Sequence, residues 1–317
     1  MLSIPVLSST FAVLLCILAS YCDFKKREVP DKISVGMIFL GLFLVLLYYY
    51  QSKDIIFLKE ALLTAGIFFA IGMILFFTGQ WGGADAKILV GYGLLLSFYS
   101  QISIKNFEAF WPLWITLFTN LMIGALIYTI FYVFFLSFKH KGVLKYLGKE
   151  VNKNQHELIF IICLSLFLLS FIFFLSLHYR VSIYLFLTPI IFTCLITPLY
   201  IFLKLARIIE RRYLVKTIKI TDLQEYDLPA ENIVEVDGKI RRYPSHILPK
   251  NGKVIASVKM RLGLRKEDIE KLKKFVKEGK LENRIKIKWG MPFVPSFLLA
   301  IILTIVFGDV FTFLISL

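Results

Sequence analysis

The chain has 317 residues, of which 58% are hydrophobic and 19% are charged, whereas a soluble domain has roughly 45–50% and about 25%. Together with a mean hydropathy of +0.74, these values exclude an ordinary soluble protein. Apolar runs of about 20 residues recur along most of the chain, and they predict a polytopic α-helical membrane protein. In a membrane protein, the net charge of +15 is expected to reflect which loops lie on the inner side of the membrane. Nucleic acid is therefore not an expected partner.

The first apolar run covers residues 3–22 and ends at the polar, basic stretch 23–32. A cleavable signal peptide would carry its basic residues before the apolar core, so this run is predicted to be a retained span. Seven further runs are predicted as spans, which makes eight in all. The fourth run, at about 88–103, contains glycines and is the least hydrophobic candidate. These runs cover about 33–50, 57–78, 88–103, 109–138, 157–177, 181–203 and 292–315.

The basic residues of the short loops predict the orientation, because such residues resist translocation. If the N-terminus lies outside, the inner loops 23–32, 79–87 and 139–156 hold ten lysines and arginines, whereas the outer loops hold four. We therefore expect about eight transmembrane helices with both termini outside. This orientation requires that the weak fourth run crosses the membrane.

Residues 204–290 differ from the rest of the chain, since they hold 23 of the 37 basic and 12 of the 22 acidic residues. Alternating apolar and polar residues predict strands, and the spacing of apolar residues over 269–276 predicts a helix. The predicted strands lie near 217–221, 234–237, 258–262 and 285–289, with Asp237-Gly238 as a hairpin turn. We expect a transmembrane bundle at 1–203, a small cytoplasmic α+β insert at 204–290, and a last transmembrane helix within 291–317.

Two carboxylates lie at the ends of predicted spans, where an ionisable residue usually has a partner or a role. Asp23 ends the first span and Asp85 begins the fourth. Two complete crossings separate them, so both are expected at the cytoplasmic boundary. Two aspartates that approach one another cannot both ionise easily, so one holds a proton while the other takes one from water. That is the chemistry of an aspartic protease.

The residues around Asp85 support this hypothesis. Gly82 and Gly83 would let the backbone turn sharply and a substrate strand approach closely. Lys87 would bias the protonation of the pair, contact the substrate, or only extend to the membrane interface.

Other acidic residues are given local explanations. Glu28 and Asp31 are expected to pair with the neighbouring lysines 25, 26 and 32, and Asp309 is expected to be solvated near the outer interface.

Other chemistries lack their sequence patterns. The four cysteines have no paired spacing, and the chain has no His-Glu-x-x-His helix, no Gly-x-Ser-x-Gly turn and no phosphate-binding Gly-x-x-x-x-Gly-Lys loop. We therefore expect no metal and no cofactor.

Two segments carry a family resemblance: residues 21–31 at the end of the first span, and Gly82-Gly83-Ala84-Asp85-Ala86-Lys87. They resemble the archaeal type IV prepilin and preflagellin peptidases, membrane aspartyl proteases of the Gly-x-Gly-Asp group that includes presenilin. Residues 291–297 look more loosely like the start of the last span of that family. The resemblance implies that Asp23 and Asp85 are the catalytic aspartates. Ala84 stands where the group has a glycine.

By this resemblance the substrate is the short basic leader of pilin-like precursors, the class III signal peptide, cut on the cytoplasmic side of the cell membrane. The size of the insert favours a prepilin-type member over a preflagellin peptidase. The basic charge of the insert would attract anionic lipid headgroups or form a solvated face. The oligomeric state stays open.

Two alternative functions also stay open. One is a presenilin-like protease that cuts within the spans of other proteins. The other is a transporter or scaffold whose aspartates bind a cation or proton. The chain lacks the repeated halves and mid-bilayer ionisable residues typical of transporters.

Overall fold

The structure is a computed structural model. It describes residues 3–104, 111–140, 142–153, 155–179, 199–210, 212–236, 238–245, 247–249, 252–260 and 263–315. The chain divides into two compact units, which are described separately. The first comprises Met1–Ile130 and Lys216–Leu317, and the second comprises Phe131–Val215.

The first unit begins with three long helices, α1 (Ile4–Lys26), α2 (Asp31–Ser52) and α3 (Ile55–Phe77). These three helices and α6 (Leu113–Lys139) are long and apolar enough to cross a membrane. Large apolar side chains are exposed along all four, as expected where lipid covers them. The protein is therefore a polytopic helical membrane protein, as the hydropathy predicts.

The fourth apolar run differs from its prediction as one continuous segment. Helix α4 (Gly83–Leu95) has 13 residues, and a separate short helix, α5 (Tyr99–Ile102), follows it. At about 1.5 Å per residue α4 is about 20 Å long, which is less than the hydrocarbon thickness. Every residue from Ile88 to Leu95 is buried, because α4 packs between α2 and α3.

Glycines allow this close packing of α4. A Cβ atom on Gly91 of α4 would lie 2.6 Å from the Cβ of Met37 in α2, and one on Gly93 would lie 2.8 Å from the ring of Phe68 in α3. Neither helix could approach so closely with a side chain at these positions. The glycines that weaken the hydropathy of the fourth run are therefore the residues that place it inside the bundle.

The last apolar run is broken into α11 (Val294–Phe307) and α12 (Val310–Ile315), with Gly308 at the break. The buried amide of Asn120 satisfies the broken backbone: it donates to Thr304 Oγ1 and to the Gly308 carbonyl, and it accepts from the Val310 N–H. The expectation that Asp309 is solvated is wrong. Its side chain is 0% exposed, and it accepts hydrogen bonds from the first turn of α12.

The second unit contains the end of α6, an amphipathic helix α7 (Val143–Lys153), the long helix α8 (Gln155–Tyr179) and a helix α9 over residues 199–210. Within it, Glu157 accepts a hydrogen bond from Tyr200 and pairs with Lys204 at 2.8 Å. Helix α8 corresponds to the sixth predicted span. Most of the seventh run, predicted at 181–203, lies outside the described residues.

A small α+β region follows α9. It contains β1 (Val215–Ile218), a 3-10 turn (Ile220–Asp222), β2 (Glu231–Val236), β3 (Lys239–Pro244), β4 (Lys253–Ala256), α10 (Lys266–Lys277) and β5 (Ile285–Lys288). Strands β3, β2 and β4 form an antiparallel sheet in that order, and β1 pairs with β5. The predicted α+β class, hairpin, helix and last strand are confirmed.

The described part of the strand predicted at 258–262, residues 258–260, forms a turn, and strand β4 lies earlier, at Lys253–Ala256. Residues 261 and 262 lie outside the described residues. The side chain of Asn232 accepts hydrogen bonds from the Ser257 hydroxyl and the Val258 N–H, and the Met260 N–H bonds to the Ser257 carbonyl. These bonds end the strand and begin a turn, so local side-chain bonding overrides the alternation of apolar residues.

Candidate active site

Asp23 lies in the last turn of α1 and is 7% exposed. Its Oδ2 accepts a hydrogen bond of 3.0 Å from the backbone N–H of Val294, and the N–H of Phe293 is a second backbone partner. Both groups belong to the start of α11, where Pro295 occupies the first turn. The first N–H groups of a helix have no partner within it, and the positive end of the helix dipole attracts an anion. The start of α11 therefore holds the Asp23 carboxylate.

Asp85 lies in the first turn of α4 and is half-buried. Its Oδ2 accepts the backbone N–H of Gly82 at 3.1 Å, so its carboxylate is fixed against the preceding turn. The sharp turn that was predicted at Gly82 and Gly83 occurs earlier, at Gly79, whose φ is +70°. Gly82 has an ordinary φ of −74°. Its role is to leave room for the carboxylate, since a Cβ there would lie 3.3 Å from Asp85 Oδ2.

Three aromatic rings connect the turn before Asp85 to the start of α11, whose backbone N–H groups bind the Asp23 carboxylate. The centroid of the Trp81 ring lies 5.1 Å from that of Phe293 and 6.0 Å from that of Phe297, and the two phenylalanine rings are 5.7 Å apart. Tyr92 of α4 adds an edge contact with Phe297 at 5.9 Å. Such contacts favour fixed ring orientations. This aromatic cluster of Trp81, Phe293, Phe297 and Tyr92 therefore fixes α4 relative to α11.

The structure brings the two predicted aspartates together. The Asp23 carboxylate lies close enough to Asp85 to act on it electrostatically, although 61 positions separate the two residues in the sequence. Ala84 occupies the first turn of α4 beside Gly83, whose Cβ position is in ordinary contact with Phe76 at 3.6 Å. An alanine in place of the motif glycine is thus compatible with a regular helical start.

Lys87 and Asp31 form an ion pair that the sequence did not predict. Lys87 Nζ lies 2.6 Å from Asp31 Oδ1, and the side chains are 39% and 75% exposed. The expectation that Asp31 pairs with a neighbouring lysine is therefore wrong. The pair connects the first residue of α2 to the second turn of α4. Its exposure limits its contribution to stability to about 0–1 kcal/mol.

Several residues of the site were not singled out from the sequence. Val294 contributes a backbone N–H, which no side-chain pattern can reveal. Trp81 and Phe293 are aromatic residues in a chain that is 16% aromatic, so composition does not distinguish them. The available signal was their position, since Trp81 lies four residues before Asp85 and Phe293 lies within the segment 291–297 that resembles the start of the last span of the family.

Two stretches of the chain match known protein families. Residues 10–140 match the type IV leader peptidase family, and residues 191–287 match the archaeal peptidase A24 C-terminal domain. The first match includes both aspartates and the second includes most of the predicted insert. The chain belongs to the type IV leader peptidase family. It is thus an aspartic-type protease, and the resemblance predicted from the two motifs is confirmed.

Two relatives match this peptidase over almost its whole length. It is 25% identical to prepilin peptidase EppA of Methanothermobacter thermautotrophicus, over 96% of the chain and 95% of the relative. It is also 25% identical to prepilin peptidase EppA of Methanocaldococcus jannaschii, over 89% and 91%. Preflagellin peptidase of Methanococcus voltae is 34% identical over only 26% of this chain and 36% of the relative. No solved structure matches significantly.

Proposed function

We propose that this peptidase removes the short basic leader of type IV pilin-like precursors, with Asp23 and Asp85 as its two catalytic aspartates. The observation that carries the proposal is the convergence of these two carboxylates at the starts of α4 and α11. Family membership supports the reaction class. The names of the relatives, prepilin peptidase and preflagellin peptidase, support the substrate class.

The hydrogen bonds around the pair favour different roles for the two aspartates. Asp23 accepts two backbone N–H bonds at a helix start, and such bonds stabilise a carboxylate anion. Asp85 accepts one. We assign Asp23 as the base that takes a proton from the attacking water. Asp85 then holds the proton that passes to the carbonyl oxygen as the tetrahedral intermediate forms. When the peptide bond breaks, Asp23 gives the proton that it took from water to the departing amine, and Asp85 regains its proton from the hydroxyl that becomes the new carbonyl.

The finer topology is part of the same proposal. We place eight spans in the cell membrane, with both termini outside and the aspartates at the cytoplasmic face. The ten basic residues of the proposed inner loops support this orientation. A cytoplasmic site suits a leader whose own basic charge keeps it from crossing the membrane.

A prepilin is the favoured precursor over an archaellin, because the relatives aligned over nearly the full chain are prepilin peptidases. The preflagellin peptidases of Methanocaldococcus jannaschii and Methanococcus voltae align over only 27% and 26% of the chain. The basic α+β insert is proposed to contact anionic lipid headgroups, each nearby basic residue contributing about 1 kcal/mol.

The test is cleavage of purified precursors by the full chain in detergent. Asp23→Asn and Asp85→Asn should each abolish cleavage while the protein still inserts and purifies normally. Asp54→Asn is the matched control, since Asp54 caps the exposed start of α3 and asparagine caps equally well. Retained cleavage in either well-folded active-site variant would exclude the assignment.

Two further measurements separate the alternatives. A precursor whose leader is cut just before its apolar helix identifies a leader peptidase. Cleavage within that helix would instead indicate a presenilin-like protease. Proton or cation flux through liposomes, without proteolysis, would indicate a transporter.

A further inference from the structure

Helix α7 is a short helix that connects two long apolar ones. Three residues separate it from the end of α6 at Lys139, and one residue separates it from the start of α8 at Gln155. Both long helices expose large apolar rings close to these junctions, Phe138 in α6 and Phe160 in α8. Rings exposed in this way on a membrane protein are expected to contact lipid. Helix α7 therefore lies where two apolar helices leave the hydrocarbon.

Contacts with the residues that follow α9 fix the orientation of α7. The ring centroid of His140, in the turn before α7, lies 4.5 Å from that of Tyr213. The Arg212 guanidinium lies 3.8 Å from the ring centroid of Tyr146 in α7, a favourable cation–π geometry. Gly142 allows the close approach, because a Cβ there would lie 3.0 Å from the Tyr213 hydroxyl. These contacts hold α7 against the ends of its neighbours.

The apolar side of α7 is only partly covered by protein. Apolar residues at three- and four-residue spacing share this side; they are Val143, Leu144, Leu147 and Val151. Val143 is buried, but Leu144 is 61% exposed and the other two are half-buried. An exposed apolar side chain at this position favours contact with lipid over contact with water.

Three positive charges lie together on and beside α7. Lys145 and Lys149 are exposed and one helical turn apart. Arg212 is also exposed, and it stacks on Tyr146, three residues before Lys149. Within the part of the chain that the structure describes, none of the three forms an ion pair. The cluster is therefore free to attract an anion.

We propose that α7 lies in the membrane interface and that Lys145, Lys149 and Arg212 bind the phosphate groups of anionic phospholipids. A helix in this position inserts its apolar side among the acyl chains, and its lysines reach the headgroups along their flexible stems. The exposed Leu144 favours a lipid over a soluble phosphate, because a soluble anion would leave that side chain in water. This surface precedes the α+β insert in the chain, and the proposal does not rest on the proposed reaction.

The test measures which lipid lies next to α7 in the full chain. Leu144→Cys, in a variant whose four native cysteines are replaced, is labelled with the fluorophore NBD and reconstituted into phosphatidylcholine vesicles. Spin-labelled phosphatidylglycerol and spin-labelled phosphatidylcholine are then compared as quenchers. The fluorophore should emit as it does in a membrane interface. Phosphatidylglycerol should be preferred at least about fivefold, the effect of one basic residue at a membrane surface.

Paired substitutions identify the residues responsible. Lys145→Gln with Lys149→Gln should remove most of this preference, whereas Lys145→Arg with Lys149→Arg should keep it. Lys271→Gln with Lys277→Gln is the matched control, because these two lysines are exposed on α10 of the α+β insert; it should leave the preference unchanged. Emission typical of water, equal quenching by the two lipids, or the same effect from both glutamine pairs would overturn the proposal.

Inorganic phosphate separates a lipid headgroup from a soluble anion. At equal ionic strength, so that screening is the same, exchange of chloride for phosphate should leave the preference for phosphatidylglycerol unchanged. Loss of the preference in phosphate would show that the cluster binds a soluble anion, and the assignment to lipid would then be wrong.

Discussion

Gly82 has no Cβ atom and so leaves space for the Asp85 carboxylate. An added Cβ would lie 3.3 Å from Asp85 Oδ2, closer than an ordinary contact, so the carboxylate would have to move by a few tenths of an ångström. Catalysis depends on such positions, since a shift of about 1 Å can cost about 100-fold in rate. The glycine is therefore a constraint on the geometry of the pair.

Gly82→Ala is accordingly expected to lower kcat/KM roughly 3- to 10-fold, measured by precursor cleavage in detergent. Gly83→Ala is the control, because its Cβ would make only an ordinary 3.6 Å contact with Phe76. It should cleave like the unmodified enzyme. Equal losses in both variants would contradict a specific effect on Asp85.

The titration of Asp227 is expected to make the stability of the α+β region depend on pH. Burial raises the pKa of this half-buried carboxyl above its usual 3.8, although the Gln224 N–H opposes the shift. The folded chain then holds the proton more tightly than the unfolded chain. This contribution to stability is fully present below about pH 3.8 and is lost as the pH rises through the folded-state pKa.

Asp227→Asn removes this titration and keeps an oxygen that can accept the Gln224 N–H. The variant should gain stability relative to the unmodified protein at pH 7.5, and the difference should shrink toward pH 4, as measured by hydrogen exchange of this region in the full chain. Asp222→Asn, at an exposed position nearby, serves as control. A difference that does not change with pH would contradict the prediction.

Among the elements, α4 shows most clearly why sequence and structure diverge. Hydropathy measures the transfer of a segment from water into lipid, but α4 is surrounded by protein. Its glycines lower its hydropathy, yet they allow the neighbouring helices to pack closely against it. In α11 and α12 the hydropathy is continuous although the helix is broken, because the side chain of Asn120 satisfies the break. Neither partner of such a long-range contact is recognisable from its own segment.

The packing role of α4 predicts different outcomes for two glycine substitutions. Gly91→Ala would place a Cβ 2.6 Å from that of Met37, and overpacking of this kind typically costs about 1–3 kcal/mol. Its unfolding temperature in detergent should fall clearly. Gly36→Ala in α2 has no atom within 4 Å of the new Cβ, so its stability should be unchanged or slightly higher. A similar loss in both variants would argue against close packing of α4.

For the whole molecule, the sequence predicted the membrane class, the proximity of Asp23 to Asp85 and the α+β class of the insert. Each depends on a local signal: apolar run length, the charge at the end of a run, and alternation. It did not predict the start of α11 as the binding partner of Asp23, the aromatic cluster, or the pairing of Lys87 with Asp31. These contacts join positions 56 to 271 residues apart, and no pattern within one segment carries information about them.

Membrane orientation is the property of the whole chain that most needs a direct test, because α4 is too short to span an ordinary bilayer unaided. Single cysteines are introduced at Lys53, Lys149 or Lys271 in a variant whose four native cysteines are replaced, and intact cells are treated with a membrane-impermeant maleimide. Lys53→Cys should react from outside, whereas Lys149→Cys and Lys271→Cys should react only after permeabilisation. Lys53 precedes α4 and the other two follow it, so the three positions also report on α4. Labelling of both Lys53→Cys and Lys149→Cys in intact cells would mean that α4 does not cross. The proposed orientation would then be wrong for every loop after α4, because one crossing would be missing. The basic residues near α7 would lie outside, against the usual distribution of charge.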